Sequence, residues 1–145
     1  MGRTTFEPAV ANDRWPWPTL DVFVLASQRP AGTPDDVVTE SDPARLLDRI
    51  REANRGRDVH LIGGPRTIET FRGLGALDKL ELVVLPLLLG DGMRLTPSIS
   101  ADAGLTFERS RNLPGGSVEI VYDVSGASDV PGRDAGWSPA SQRKG

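Results

Sequence analysis

Val59–Ile62 is a short apolar run that meets Gly63-Gly64 and then Pro65, and this junction constrains the fold more than any other stretch of the chain. Aliphatic and β-branched residues in so short a run predict a strand. Proline just after the glycines predicts the first turn of a helix. Two adjacent glycines allow a sharp turn and leave no side chain between the main chain and a ligand. The helix start presents unpaired N–H groups and the positive end of a dipole, which together favour an anion such as phosphate. The same residues also suit a turn that needs glycine only for its geometry, so the rest of the chain has to decide.

At 145 residues the chain is long enough to bury a real core, and it reads as one domain over 1–124 with a tail over 125–145. A net charge of −3, with 17 basic residues spread along the chain without a run, argues against a general nucleic-acid or membrane-surface binder. Zero cysteines exclude disulfides, thiol nucleophiles, thiolate zinc sites and iron–sulfur clusters, and fit a reducing cytoplasm. The most apolar run, Leu80 to Leu89, contains Glu81 and Pro86 and is far short of the roughly 20 residues a membrane helix needs. The opening residues do not read as a secretory signal.

Along the chain, residues 3–10 predict a short helix stopped around Pro8, followed by a loop with Trp15 and Trp17. Asp21 to Ala26 predicts a strand buried on both faces, and Val37 to Glu40 a second one. Ser41 or Asp42 then caps a helix with Pro43 in its first turn, Leu46, Leu47, Ile50 and Ala53 on one face, and Gly56 at its close. The Gly-Gly unit and its helix follow, with Ile68 and Phe71 inward. Leu80 to Pro86 is another strand, and Leu105 to Val124 a hairpin turning at Pro114-Gly115-Gly116. This order predicts an α/β fold with a mainly parallel sheet and an antiparallel C-terminal hairpin. Residues 125–145 lack periodicity and read as a disordered tail.

Open α/β sheets bind ligands beyond the carboxyl ends of their strands, and three segments belong there. They are Gly2-Arg3-Thr4-Thr5 at a helix start, Leu25-Ala26-Ser27-Gln28-Arg29 after a strand, and Ile62-Gly63-Gly64-Pro65-Arg66-Thr67-Ile68. Hydroxyls and amides at helix starts suit a pyrophosphate, and Arg3, Arg29 or Arg66 suits a phosphate monoester through its planar fork. Gly73-Leu74-Gly75 begins a GxGxxG pattern, but Asp78 replaces the third glycine and the segment follows a helix, so it is a connection. His60, the sole histidine, reads as structural. No cluster of metal ligands is evident, and no residue stands out as catalytic.

Met1–Glu7 (MGRTTFE), Val24–Gln28 (VLASQ), Leu61–Ile68 (LIGGPRTI) and residues 77–92 (LDKLELVVLPLLLGDG) together resemble the dihydrofolate-reductase-like superfamily in order and spacing. The last looks most like the RibD C-terminal reductase domain of riboflavin-biosynthesis deaminase–reductases. The resemblance implies a three-layer α/β fold over residues 1 to about 124. It also implies NADPH as cofactor and hydride transfer to a small heterocyclic or sugar-phosphate substrate, with a homodimer as the expected assembly. Gly2, Arg3, Thr4 and Thr5 would serve the cofactor phosphates, Leu25 to Gln28 would line the adenosine, and Arg29 would lie near its ribose phosphate. Gly63 and Gly64, joined in the family by a cis peptide, would lie along the pyrophosphate. Ile62 would stand near the nicotinamide, and Pro65, Arg66, Thr67 and Ile68 would open the helix beneath.

One departure accompanies these matches. In the family the Gly-Arg-Thr motif follows the first strands and a helix, including the central strand, which precede nothing here. A protonated α-amino group beside a helix start opposes the dipole by roughly 0.3–1 kcal/mol, and a missing strand exposes sheet edges. The expectation is therefore an N-terminally truncated domain, either a start placed inside a longer reading frame or a fragment. The alternative to a reductase is a non-catalytic nucleotide-binding or oligomerisation module.

Overall fold

The computed structural model describes residues 1–12, 14–95 and 104–124, and these fall into two units, one of residues 1–78 with 86–95, the other of 79–85 with 104–124. The expected tail over 125–145 lies outside the described residues.

In the first unit, β1 (Phe23–Leu25) and β2 (Val38–Glu40) form a parallel ladder with Val24 opposite Thr39. The two strands are the predicted ones, trimmed to three residues each. Side chains alternate along β1, so Val22, Val24 and Ala26 face one way and are buried with Val37. Phe6 of α1 (Arg3–Val10) closes that cluster, and Trp15 meets its ring edge-on at 5.9 Å, with Trp17 edge-on to Trp15 in turn. Phe23 and Leu25 on the other face are only half-buried, so β1 is closed on one face and not on both as expected. A two-stranded ladder gives a second layer little sheet to cover.

The first helix runs through Pro8 instead of stopping there. Proline removes one intrahelical bond, but Phe6 anchors the helix and the Ala11 amide still reaches the Glu7 carbonyl at 3.1 Å. Asp42 caps α2 (Pro43–Ala53), its carboxylate accepting from the amides of Ala44 and Arg45 at 2.8 and 3.0 Å. Leu46 is the fully buried residue of that helix, Leu47 and Ile50 are half-buried, and Ala53 is exposed. The helix ends at Asn54, two residues before the expected Gly56, whose positive φ turns the chain afterwards.

Val59–Ile62 is not a strand. Its would-be neighbour in space is Met1–Gly2, which offers the Gly2 amide to the Gly63 carbonyl at 2.8 Å and then turns into α1. With no ladder to join, Val59 and Ile62 stay more than half exposed, and His60 is exposed as well. The helix after the glycines, α3 (Pro65–Gly73), forms as predicted with Phe71 buried.

The second unit is an antiparallel sheet in the order β3 (Lys79–Val84), β5 (Val118–Asp123), β4 (Thr106–Asn112). The hairpin between β4 and β5 turns at Pro114–Gly116, where Gly115 and Gly116 both take positive φ. The α/β class is as expected, with a larger antiparallel share: β3 joins the hairpin rather than the parallel ladder.

Within this sheet Arg111 faces Glu119 across the strands and grips it with two bonds, Nε to Oε2 at 2.6 Å and Nη2 to Oε1 at 2.7 Å. The guanidinium holds the Glu119 carboxyl below its ordinary 4.5. A carboxyl depressed in the folded state contributes stability above its unfolded pKa and loses it as pH falls through the folded one. Glu119→Gln is therefore expected to melt lower than the parent at pH 7, with the gap shrinking below about pH 4.5. Thermal melts of both proteins from pH 7 to pH 3 check this, and a gap that does not change with pH contradicts it.

Candidate functional site

Met1 and Gly2 lie alongside β1: the Met1 amine donates to the Phe23 carbonyl and the Leu25 amide to the Met1 carbonyl, both at 2.9 Å. Burial at that position pushes the Met1 amine down to about 6. Gly2 bridges Leu25 on one side and bonds Gly63 on the other. The extended segments therefore stand side by side in the order β2, β1, Met1–Gly2, Gly63. Their carboxyl ends bring together the start of α1, the turn at Ala26–Arg29 and the Gly63-Gly64 junction, the three segments singled out in the sequence.

The junction is close-fitting. The Gly63–Gly64 peptide is cis, and Gly63 has φ +109°, a region that L side chains rarely adopt. A Cβ on Gly64 would stand 3.6 Å from Thr5 Oγ1, and a Cβ on Gly2 would run into Thr67 Oγ1. Gly2, Thr5, Gly64 and Thr67 thus form one contiguous patch, in which Gly2 and Thr67 are buried.

The helix starts differ in a way that matters for binding. Asp42 supplies α2 with a side-chain cap, whereas α1 and α3 are capped by Gly2 and Gly64 with no side-chain hydrogen bond. In α1 the first amide with an acceptor in its own cap is that of Thr5, to the Gly2 carbonyl at 3.2 Å. In α3 it is that of Thr67, to Gly64 at 2.9 Å. The Arg3 amide is taken up by the bridge between Gly2 and Leu25, whereas the amides of Thr4 and Arg66 have no acceptor among the described residues. Two adjacent helix starts with unused amides form an anion-binding arrangement without any fixed charge.

The arginines are placed unequally. Arg3 donates from Nε to Glu7 at 2.6 Å along α1, with both side chains about half exposed. An exposed pair at this spacing is worth about 0.3–0.5 kcal/mol, less than the roughly 1.5–3 kcal/mol of a charged hydrogen bond to a bound anion, so a phosphate can draw Arg3 away. Arg29 gives Nη1 to the Val37 carbonyl at 2.9 Å and Nη2 to that of Pro34 at 2.6 Å. Two of its guanidinium nitrogens therefore hold the loop over residues 30–37. Arg66 is exposed, and its guanidinium has no partner among the described residues. Ile62 is half exposed and Ile68 half-buried against Gly63.

Beside the turn after β1 opens a cleft of about 270 Å³, bounded by residues 26–29 and 39–41. It is smaller than the roughly 300–1,000 Å³ of a pocket for a whole drug-sized ligand, so it suits one part of a larger molecule. Thr39 Oγ1 is enclosed there without a partner among the described residues. A larger recess of about 1080 Å³ lies at the amino ends of the same strands, beside Phe23, Val38 and Ala53. Its Arg57 is paired with Asp21 at 3.0 Å, and it stands at the end of a parallel ladder where ligands do not ordinarily bind. Sequence reasoning missed Thr39 and Glu40 at the smaller cleft. Applying the carboxyl-end rule to β2 as well as to β1 would have found them.

This arrangement, with a parallel ladder, glycine-capped helices and a separate antiparallel sheet, is that of the dihydrofolate-reductase-like α/β fold. Solved structures agree: a protein from Shewanella sp. PV-4 named for riboflavin biosynthesis matches over 85% of this chain and 71% of its own, with a TM-score of 0.68 at 23% identity. The RibD C-terminal domain profile matches residues 18–118, and the chain belongs to that family. Among sequence relatives, the uncharacterized protein YyaP of Bacillus subtilis is 36% identical over 83 residues, 56% of this chain and 44% of YyaP. YwjB of the same organism is 21% identical over 123 residues, 84% of this chain and 70% of YwjB. The chain thus spans less than half the length of YyaP. Among the described residues no helix is long and apolar enough to cross a membrane.

Proposed function

We propose that this chain binds NADPH across the Gly2–Thr5, Ala26–Arg29 and Gly63–Ile68 segments and serves hydride transfer to a small heterocyclic or sugar-phosphate substrate. The observation that carries the reading is the pair of glycine-capped helix starts, α1 and α3, set side by side with unused amides. The residues fit a pyrophosphate: the amides of Thr4 and Arg66 donate to its oxygens, and Gly64 lets the backbone approach closely. Thr4 and Thr5 add hydroxyls, while Arg3 supplies the mobile positive charge. Leu25 to Gln28 flank the adenosine, and Ile62 stands toward the nicotinamide end. NADPH, when bound, supplies the hydride; the chain's part is to hold and orient it.

Titrating NADPH into the protein while following nicotinamide and tryptophan fluorescence tests this. Saturable binding that inorganic pyrophosphate weakens is expected, and a failure of both NADPH and NADH to bind overturns the reading. Reduction of a substrate by the bound cofactor separates a reductase from a module that only binds nucleotide.

A further inference from the structure

We propose that Glu40 sets the margin between NADPH and NADH at this site, by holding a carboxylate in the cleft that receives the adenine ribose. The inference rests on the reading of the site as a dinucleotide site and adds a determinant that lies outside the three segments.

Glu40 is the last residue of β2 and lines the cleft across from Ser27, Gln28 and Arg29. Its side chain is only 16% exposed, and Oε1 accepts from the amides of Ser41 at 2.9 Å and Asp42 at 3.3 Å. Those two bonds fix the carboxylate in place and favour its charged form, lowering its pKa. Arg49 Nε stands 3.8 Å from Oε2, beyond hydrogen-bond distance, so it offsets the charge without covering it. The cation across the cleft is Arg29, two of whose nitrogens are already committed to the Val37 and Pro34 carbonyls.

An acidic side chain at the end of a parallel strand accepts hydrogen bonds from ribose hydroxyls, whereas a 2′-phosphate calls for an available arginine. Here the fixed group is the acid and the arginine is the engaged one. A 2′-phosphate therefore enters against a like charge in a half-enclosed cleft, and a 2′-hydroxyl does not. The two cofactors differ at this point by that phosphate alone, so their affinity ratio isolates the effect.

Dissociation constants for NADPH and NADH are to be measured by fluorescence titration on the full chain, with Glu40→Gln and Glu40→Ala in parallel. Gln keeps an oxygen to accept from the Ser41 and Asp42 amides, so the turn into α2 is retained, and either variant decides the matter. Removing the charge is expected to shift the ratio toward NADPH by about tenfold, a little more than one charge–charge contact is worth in bulk water and far less than one near a protein surface, with the NADH affinity of the Gln variant, which keeps an acceptor for a ribose hydroxyl, within about threefold. A merely structural role would move both cofactors together. A ratio that stays within about twofold of the parent overturns the inference while leaving the dinucleotide site standing. Binding of neither cofactor to the parent overturns the site itself, and the inference with it.

Discussion

Replacing Phe6 by alanine is expected to lower the unfolding free energy by about 3–5 kcal/mol, and to remove nucleotide binding at the same time. Phe6 has no exposed surface and sits at the centre of the cluster of Val22, Val24, Ala26 and Val37. Its ring is met edge-on by Trp15, which in turn meets Trp17, so truncation opens a void beside that pair. Against a total of roughly 5–15 kcal/mol for a domain, such a loss is a fifth or more. The functional consequence follows from position: Phe6 is the buried residue of α1, and the same helix offers the Thr4 amide at its start. Denaturant melts by circular dichroism, followed by NADPH titration, check both halves. A melt within about 1 kcal/mol of the parent would mean that α1 is not anchored as described.

The elements that could be read from sequence are those whose signal is local. Asp42 followed by Pro43 announces a capped helix because a short acid and a fixed φ act within one turn, and α2 starts there. Pro114-Gly115-Gly116 announces a hairpin because positive φ is cheap for glycine, and β4 and β5 meet there. Val59–Ile62 has a strand's composition but no ladder, because pairing depends on a neighbour the run itself does not specify. Pro8 shows the reverse, a local breaker overruled by the burial of Phe6 two residues earlier. The site follows the same division. Glycines and hydroxyls at strand and helix ends marked three segments, and the structure brings them together through the Gly2–Gly63 and Gly2–Leu25 contacts. The state of each arginine was not legible, since Arg3 is drawn to Glu7 and Arg29 to backbone carbonyls of a loop. Side-chain partners of that kind depend on packing that composition does not encode.

The tightest of these contacts gives the second large effect. Gly2→Ala is expected to cost about 1–3 kcal/mol and to weaken NADPH binding, although nothing in the backbone forbids it. Gly2 has φ −87°, which alanine adopts freely, so the cost is steric alone. The added methyl would press into Thr67 Oγ1, whose β-branched side chain is buried and has few rotamers to move into. The alternative is for Gly2 to back away, which strains its bond to the Gly63 carbonyl and its bridge to Leu25. Either movement displaces the start of α1 relative to that of α3, where the unused amides lie. Removing the obstacle should undo the damage: Gly2→Ala with Thr67→Ala is expected to recover most of the stability lost by Gly2→Ala alone. Neighbours in contact couple by about 0.5–3 kcal/mol in a double-mutant cycle, so melts of the two single variants and the double variant measure the contact directly. Additive costs would show that Gly2 and Thr67 do not meet, and the convergence of the two helix starts would lose its main support.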